Sequence, residues 1–150
     1  MTSEDNFAHE FERYLYRSFH FGPNTKIRQY DPSIMEIFGV LSLTDVRQPD
    51  RKLWYVYYCK QTEVDETLDR IFKKYGKKNM REIFRKPVFS GVDLCDKVKD
   101  HFAEKKLYVK GKLIEAPRNS PYNDDKIMRQ VTGLYDEEQR LLFQYVCSKS

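Results

Sequence analysis

The residues best equipped for chemistry in this chain are cations, and they crowd one stretch. KKYGKKNMREIFRK, residues 73–86, sets seven Lys and Arg around a single glutamate. Such groups suit phosphate or carboxylate oxygens, to which Arg donates two parallel hydrogen bonds. Lys73 and Lys74 fall in the last turn of an expected helix, where the dipole alone favours positive charge. Lys77, Lys78, Arg81, Arg85 and Lys86 have no such local reason. A short helix ending at Pro87 would set Arg81 and Arg85 four apart on one face, opposite Met80, Ile83 and Phe84. Lys110 and Lys112 flank a Lys-Gly turn that can project toward the same partner. Together these seven side chains form the expected phosphate-backbone or acidic-surface contact.

A second candidate is LWYVYYC, residues 53–59. On a strand, Trp54, Val56 and Tyr58 point one way and Leu53, Tyr55, Tyr57 and Cys59 the other, and both sets are large and mostly apolar. Either helices cover both faces, which a chain rich in amphipathic helices can do, or one face is an aromatic platform. In the second case the Tyr55 and Tyr57 face, or Tyr75 within the basic stretch, would stack bases or a partner's side chains.

Other chemistry is not advertised. Cys59, Cys95 and Cys147 contain no CxxC, and His9, His20 and His101 are scattered without HExxH or HxH, so neither a metal nor a disulfide framework is expected. No GxSxG, Walker loop or GxGxxG occurs, and no cofactor is expected. Carboxylates gather where helix starts want them, as at Asp65 and Glu66, Asp124 and Asp125, and Glu137 and Glu138.

These residues need a scaffold, and the composition provides one: 40% apolar and 15% aromatic residues over 150 positions build a real core in one domain spanning residues 1–150. The net charge of +4 hides an asymmetry, because residues 73–112 carry thirteen basic against five acidic side chains while the rest is slightly acidic. No run of about 20 apolar residues is present and MTSEDNFAHE lacks a signal-peptide layout, so an intracellular protein, cytoplasmic or nuclear and without a membrane partner, is expected.

Apolar spacing predicts a helix over 4–19 and a β-hairpin over roughly 37–60. A helix follows from Thr62 to Tyr75 with Gly76 as its stop, then the short helix after Lys77, then a helix from Ser90 to about Glu104. KLYVKGKLI reads as two very short strands. From Asn123 a helix closes at Gly133, followed by either a second helix or, the preferred reading, a hairpin-like last strand. The expected class is α+β, a small mainly antiparallel sheet packed with four or five amphipathic helices.

The expected function is a non-catalytic binding module that docks on an acidic macromolecule, nucleic acid or a ribonucleoprotein favoured, through its basic surface. A protein–protein adaptor subunit of a larger complex, using an exposed aromatic patch, is the alternative, and an enzyme with a dispersed site the third reading.

Overall fold

A computed structural model describes residues 36–44 and 49–144 with their side chains, and 19–20, 29–30 and 145–149 as backbone. The helix expected over 4–19 lies outside the described residues, apart from Phe19 at its end.

Phe19–His20 (β1) and Gln29–Tyr30 (β2) form a two-residue antiparallel pair. The main sheet starts with Glu36–Leu43 (β3) and Arg51–Lys60 (β4), paired antiparallel from Glu36↔Lys60 to Leu43↔Leu53 as the expected hairpin. A 3-10 turn leads into Val64–Tyr75 (α1), and a second one into Met80–Val88 (β5). Gly91–Glu104 (α2), Tyr108–Lys110 (β6), Leu113–Pro117 (β7) and Asp124–Lys149 (α3) complete the chain. The sheet is antiparallel throughout, in the order β5-β3-β4-β7-β6.

The class is therefore α+β, as expected, with three α-helices among the described residues rather than four or five. Two expectations fail locally. The stretch after Lys77 is not a helix: Gly76, at φ +86°, ends α1, and residues 80–88 pair along the whole of β3 as an edge strand. Nor does Gly133 close a helix, because α3 runs straight through it for 26 residues with neither a second helix nor a last strand. One glycine inside a helix costs about 1 kcal/mol. Ile127 and Val131 before it are buried with Glu138 beyond it, so packing on one continuous face outweighs that cost.

Both faces of the hairpin are covered. On one, Phe38, Val40, Trp54, Val56 and Ile114 meet α2 through Leu94, Val98 and Phe102 and α3 through Ile127 and Val131. Burying a phenylalanine such as Phe38 or Phe102 completely contributes roughly 1.5–3 kcal/mol. On the opposite face α1 lays Leu68 and Ile71, flanked by Val64, Phe72 and Tyr75, against Leu41 and Tyr57. The alternation read in LWYVYYC holds, and its explanation is two helical layers.

Two of the three described helix starts are capped by side chains, while α1 starts without a side-chain cap. Ser90 Oγ accepts from the Asp93 amide at 3.3 Å, the cap read from sequence, while Glu36 on β3 accepts from the Gly91 amide at 2.6 Å. Asn123 Oδ1 caps α3 by accepting from the Lys126 amide at 2.9 Å.

Candidate nucleic-acid interface

β5 decides what the basic stretch can do. Its register against β3 runs Ser42↔Arg81 and Leu41↔Glu82, then Val40↔Phe84 and Gly39↔Arg85, which leaves Ile83 as an extra residue. A bulge of this kind reverses the alternation beyond it. Residues four apart on a plain strand share a face; here Arg81 faces the α2/α3 layer and Arg85 faces the α1 side. Each has its own carboxylate: Arg81 Nη2 lies 3.3 Å from Asp124 Oδ2, and Arg85 binds Glu82 at 2.7 and 3.1 Å. The paired guanidinium surface expected from a helix is therefore not built. Charged side chains with Pro87 and a bulge on an outer strand are instead what keeps a sheet edge from pairing with another chain. Lys86 is exposed on the same edge.

Arg81 belongs to a lock at the start of α3. Asp124 Oδ1 accepts from Trp54 Nε1 at 2.8 Å and from Ser42 Oγ at 2.7 Å, while Oδ2 meets Arg81. Around it an open cleft of about 570 Å³ also holds Arg51, Lys52 and Arg118. Those cations are engaged too: Arg51 with Glu115 at 3.2 Å, Lys52 with the Ser120 and Tyr122 carbonyls, and Arg118 with the Pro49 carbonyl at 2.5 Å. The cluster ties the loop before α3 to the sheet. Asp124→Ala leaves the indole donor of Trp54, a residue 1% exposed, without an acceptor, and is expected to cost about 2 kcal/mol. Asp124→Asn, which keeps an acceptor oxygen, is expected to cost about half as much in urea unfolding; equal losses would remove the indole from the explanation.

A second group of cations lies on the other side of the sheet. Arg70, Lys73 and Lys74 on α1, and Lys77 and Lys78 in the following turn, have no carboxylate at ion-pair distance among the described residues. Between α1 and β4 lies a cleft of about 220 Å³ lined by Tyr55, Tyr57, Thr67, Arg70, Ile71, Lys74, Tyr75 and Lys112. The Tyr55 and Tyr75 rings pack tilted at 56°, with centroids 5.8 Å apart. The Lys74 ammonium sits 5.3 Å from the Tyr75 ring centroid, a cation–π distance. Arg70 reaches Thr67 Oγ1 at only 3.4 Å and has no other hydrogen-bond partner among the described residues. Burial first, then the Tyr75 phenol, pushes the Tyr55 hydroxyl up, with Arg70 opposing, so Tyr55 stays a neutral donor near pH 7.

Of the ten residues singled out from sequence, Tyr55, Tyr57, Tyr75 and Lys112 meet here. Tyr57 is a correction within that set: at 1% exposure it is cleft floor and cannot stack on a ligand. Lys112 borders the cleft from the β6–β7 turn, but its ammonium lies 4.8 Å over the Tyr58 ring. Lys77 packs 5.8 Å from the Phe72 ring, Lys78 is exposed in the same turn, and Lys110 is exposed on β6, at the opposite edge of the sheet from Lys86. Arg70 and Lys74 are the residues that sequence reasoning missed. Their four-residue spacing on α1 and the tyrosine beside Lys74 were the available signal.

Cys95 is buried, and burial pushes its thiol up, which suits a packing group. His101 Nε2 lies 2.7 Å from Gln130 Oε1, joining α2 to α3. Among the described residues no three His, Cys, Asp or Glu side chains converge on a metal position, and no helix is long and apolar enough to cross a membrane.

No family model, curated protein or solved structure matches this chain. The site's own chemistry must carry the functional reading.

Proposed function

We propose that this domain is a non-catalytic module that docks on nucleic acid through the α1 side of the sheet. The observation that supports the reading is a difference in pairing: Arg51, Arg81 and Arg85 have carboxylate partners, whereas Arg70, Lys73, Lys74, Lys77 and Lys78 have none among the described residues. Cations already neutralised within the fold gain little from an external anion. Five cations within nine residues, without a carboxylate partner among the described residues and beside an aromatic cleft, offer charge that a phosphate backbone matches. Lys110 and Lys112 extend the positive charge toward the β6–β7 turn.

The test is fluorescence anisotropy with mixed-sequence RNA and DNA at several salt concentrations. Each phosphate neutralised on a single strand contributes roughly 0.7 to the slope of log K against log salt. Arg70→Gln with Lys74→Gln should lower affinity and flatten that slope by about 1.4, whereas Arg81→Gln should leave the slope unchanged. An unchanged slope in the double variant overturns the reading. Displacement of the nucleic acid by polyglutamate at equal charge would point to an acidic protein surface instead.

A protein–protein adaptor keeps one specific observation in its favour: Phe143 on α3 is 70% exposed. Binding that survives high salt and is lost in Phe143→Ser would mark that reading.

A further inference from the structure

Granted that nucleic acid is the partner, a premise inherited from the functional reading above, we infer that the cleft between α1 and β4 receives one unpaired base, which makes the module selective for single strands. The cleft measures about 220 Å³, room for a ring system and not for a helix of either nucleic acid or protein. Its floor, Tyr57 and Ile71, is 1% and 7% exposed and apolar in its ring and methyl surface. Its wall is the tilted Tyr55–Tyr75 pair, both half-buried, so each ring keeps surface for a ligand. Arg70 and Lys74, one helical turn apart, stand at the α1 side and supply positive charge for the phosphate of the nucleotide whose ring is below.

A base within a duplex cannot use this arrangement. Its two faces are covered by neighbouring pairs, and only phosphates on a convex surface would meet the protein. An unpaired base offers a π-face to Tyr75 and ring edges to the neutral Tyr55 hydroxyl, with its own phosphate beside the cations. An acidic protein side chain would use Arg70 and Lys74 but leave the aromatic wall unfilled. Base–aromatic stacking is sequence-tolerant, so modest preference among the bases is expected.

The experiment compares three probes of equal charge: a single-stranded oligonucleotide, the same strand with abasic positions, and a duplex. Wild-type protein should bind the intact strand about tenfold more tightly than the abasic strand or the duplex. Tyr75→Leu should lose that tenfold on the intact strand alone, and Tyr75→Phe should keep it; thermal melting checks that both fold. The abasic comparison needs no variant at all. If intact, abasic and duplex probes bind alike while Arg70→Gln/Lys74→Gln weakens all three, the cation reading stands and the base pocket is wrong. Should none of the three probes bind at low salt, the functional reading falls and this inference with it.

Discussion

Gly39→Ala is expected to destabilise the domain by about 3 kcal/mol, the upper end of what overpacking a tight core costs, and to lower its melting temperature by roughly 10 °C. Gly39 lies on β3 opposite Tyr57 on β4. A methyl group there would stand well inside van der Waals contact of the far end of the Tyr57 ring, at carbons and hydroxyl alike. The ring cannot move aside, being 1% exposed and packed among Leu41, Leu68 and Ile71. The Tyr57 hydroxyl is itself buried without a hydrogen bond of good geometry, although Arg85 is the donor beside it. Tyr57→Leu removes the obstructing end of the ring, so the double variant should be more stable than the sum of the two losses by about 2 kcal/mol. Strict additivity in urea unfolding would show that the clash is not with Tyr57. Because Tyr57 forms the cleft floor, Gly39→Ala should also weaken binding of single-stranded oligonucleotides even where the protein remains folded.

Where the sequence could be read and where it could not follows from which interactions are local. β4, α1 and α2 were legible because each carries its own signal: apolar residues on both faces of a strand, a 3.6-residue stripe ending in Gly76, and Ser90 ahead of Asp93. The Lys-Gly turn was legible too, and Gly111 takes the φ of +58° such a turn uses. β5 was misread for a definite reason. Met80, Ile83, Phe84 and Val88 stand at helical spacing in the sequence, yet Met80 packs on the α1 side while Ile83, Phe84 and Val88 pack on the α2/α3 side of a bulged strand. The choice was made by β3, whose paired residues lie 37 to 52 positions away and which no local pattern contains. Gly133 misled similarly, since a glycine stop requires the chain to leave the helix, and Tyr135 beyond it is held by its hydroxyl donating to the Pro87 carbonyl at 2.9 Å. At the candidate site, tyrosine and lysine types were visible early. Their sorting into paired and unpaired cations was not, because Asp124 and Glu115, which neutralise Arg81 and Arg51, come from other elements.

Glu138 should give the domain a stability that falls as pH rises. Its side chain is 4% exposed in the α2–α3 interface, with the Lys97 ammonium 3.9 Å from Oε1 and no hydrogen bond to that oxygen. Burial pushes the carboxyl up from 4.5 to about 7; Lys97 opposes this and Asp93 adds to it. The folded state therefore holds a proton that the unfolded chain has released between pH 4.5 and about 7, so stability from this group is complete below the lower value and lost as pH passes the upper. The total loss is about 3 kcal/mol at 1.36 kcal/mol per pH unit. Glu138→Leu has no proton to lose, and Lys97, 42% exposed, can turn to water once its partner is gone. Measured by urea unfolding, wild type and Glu138→Leu should differ by about 3 kcal/mol more at pH 8 than at pH 4.5, in favour of the variant. Groups remote from Glu138 contribute alike in both proteins and cancel in that difference. Parallel pH profiles would mean that the carboxylate is solvated or paired in solution, and that α2 and α3 separate there far enough to admit water.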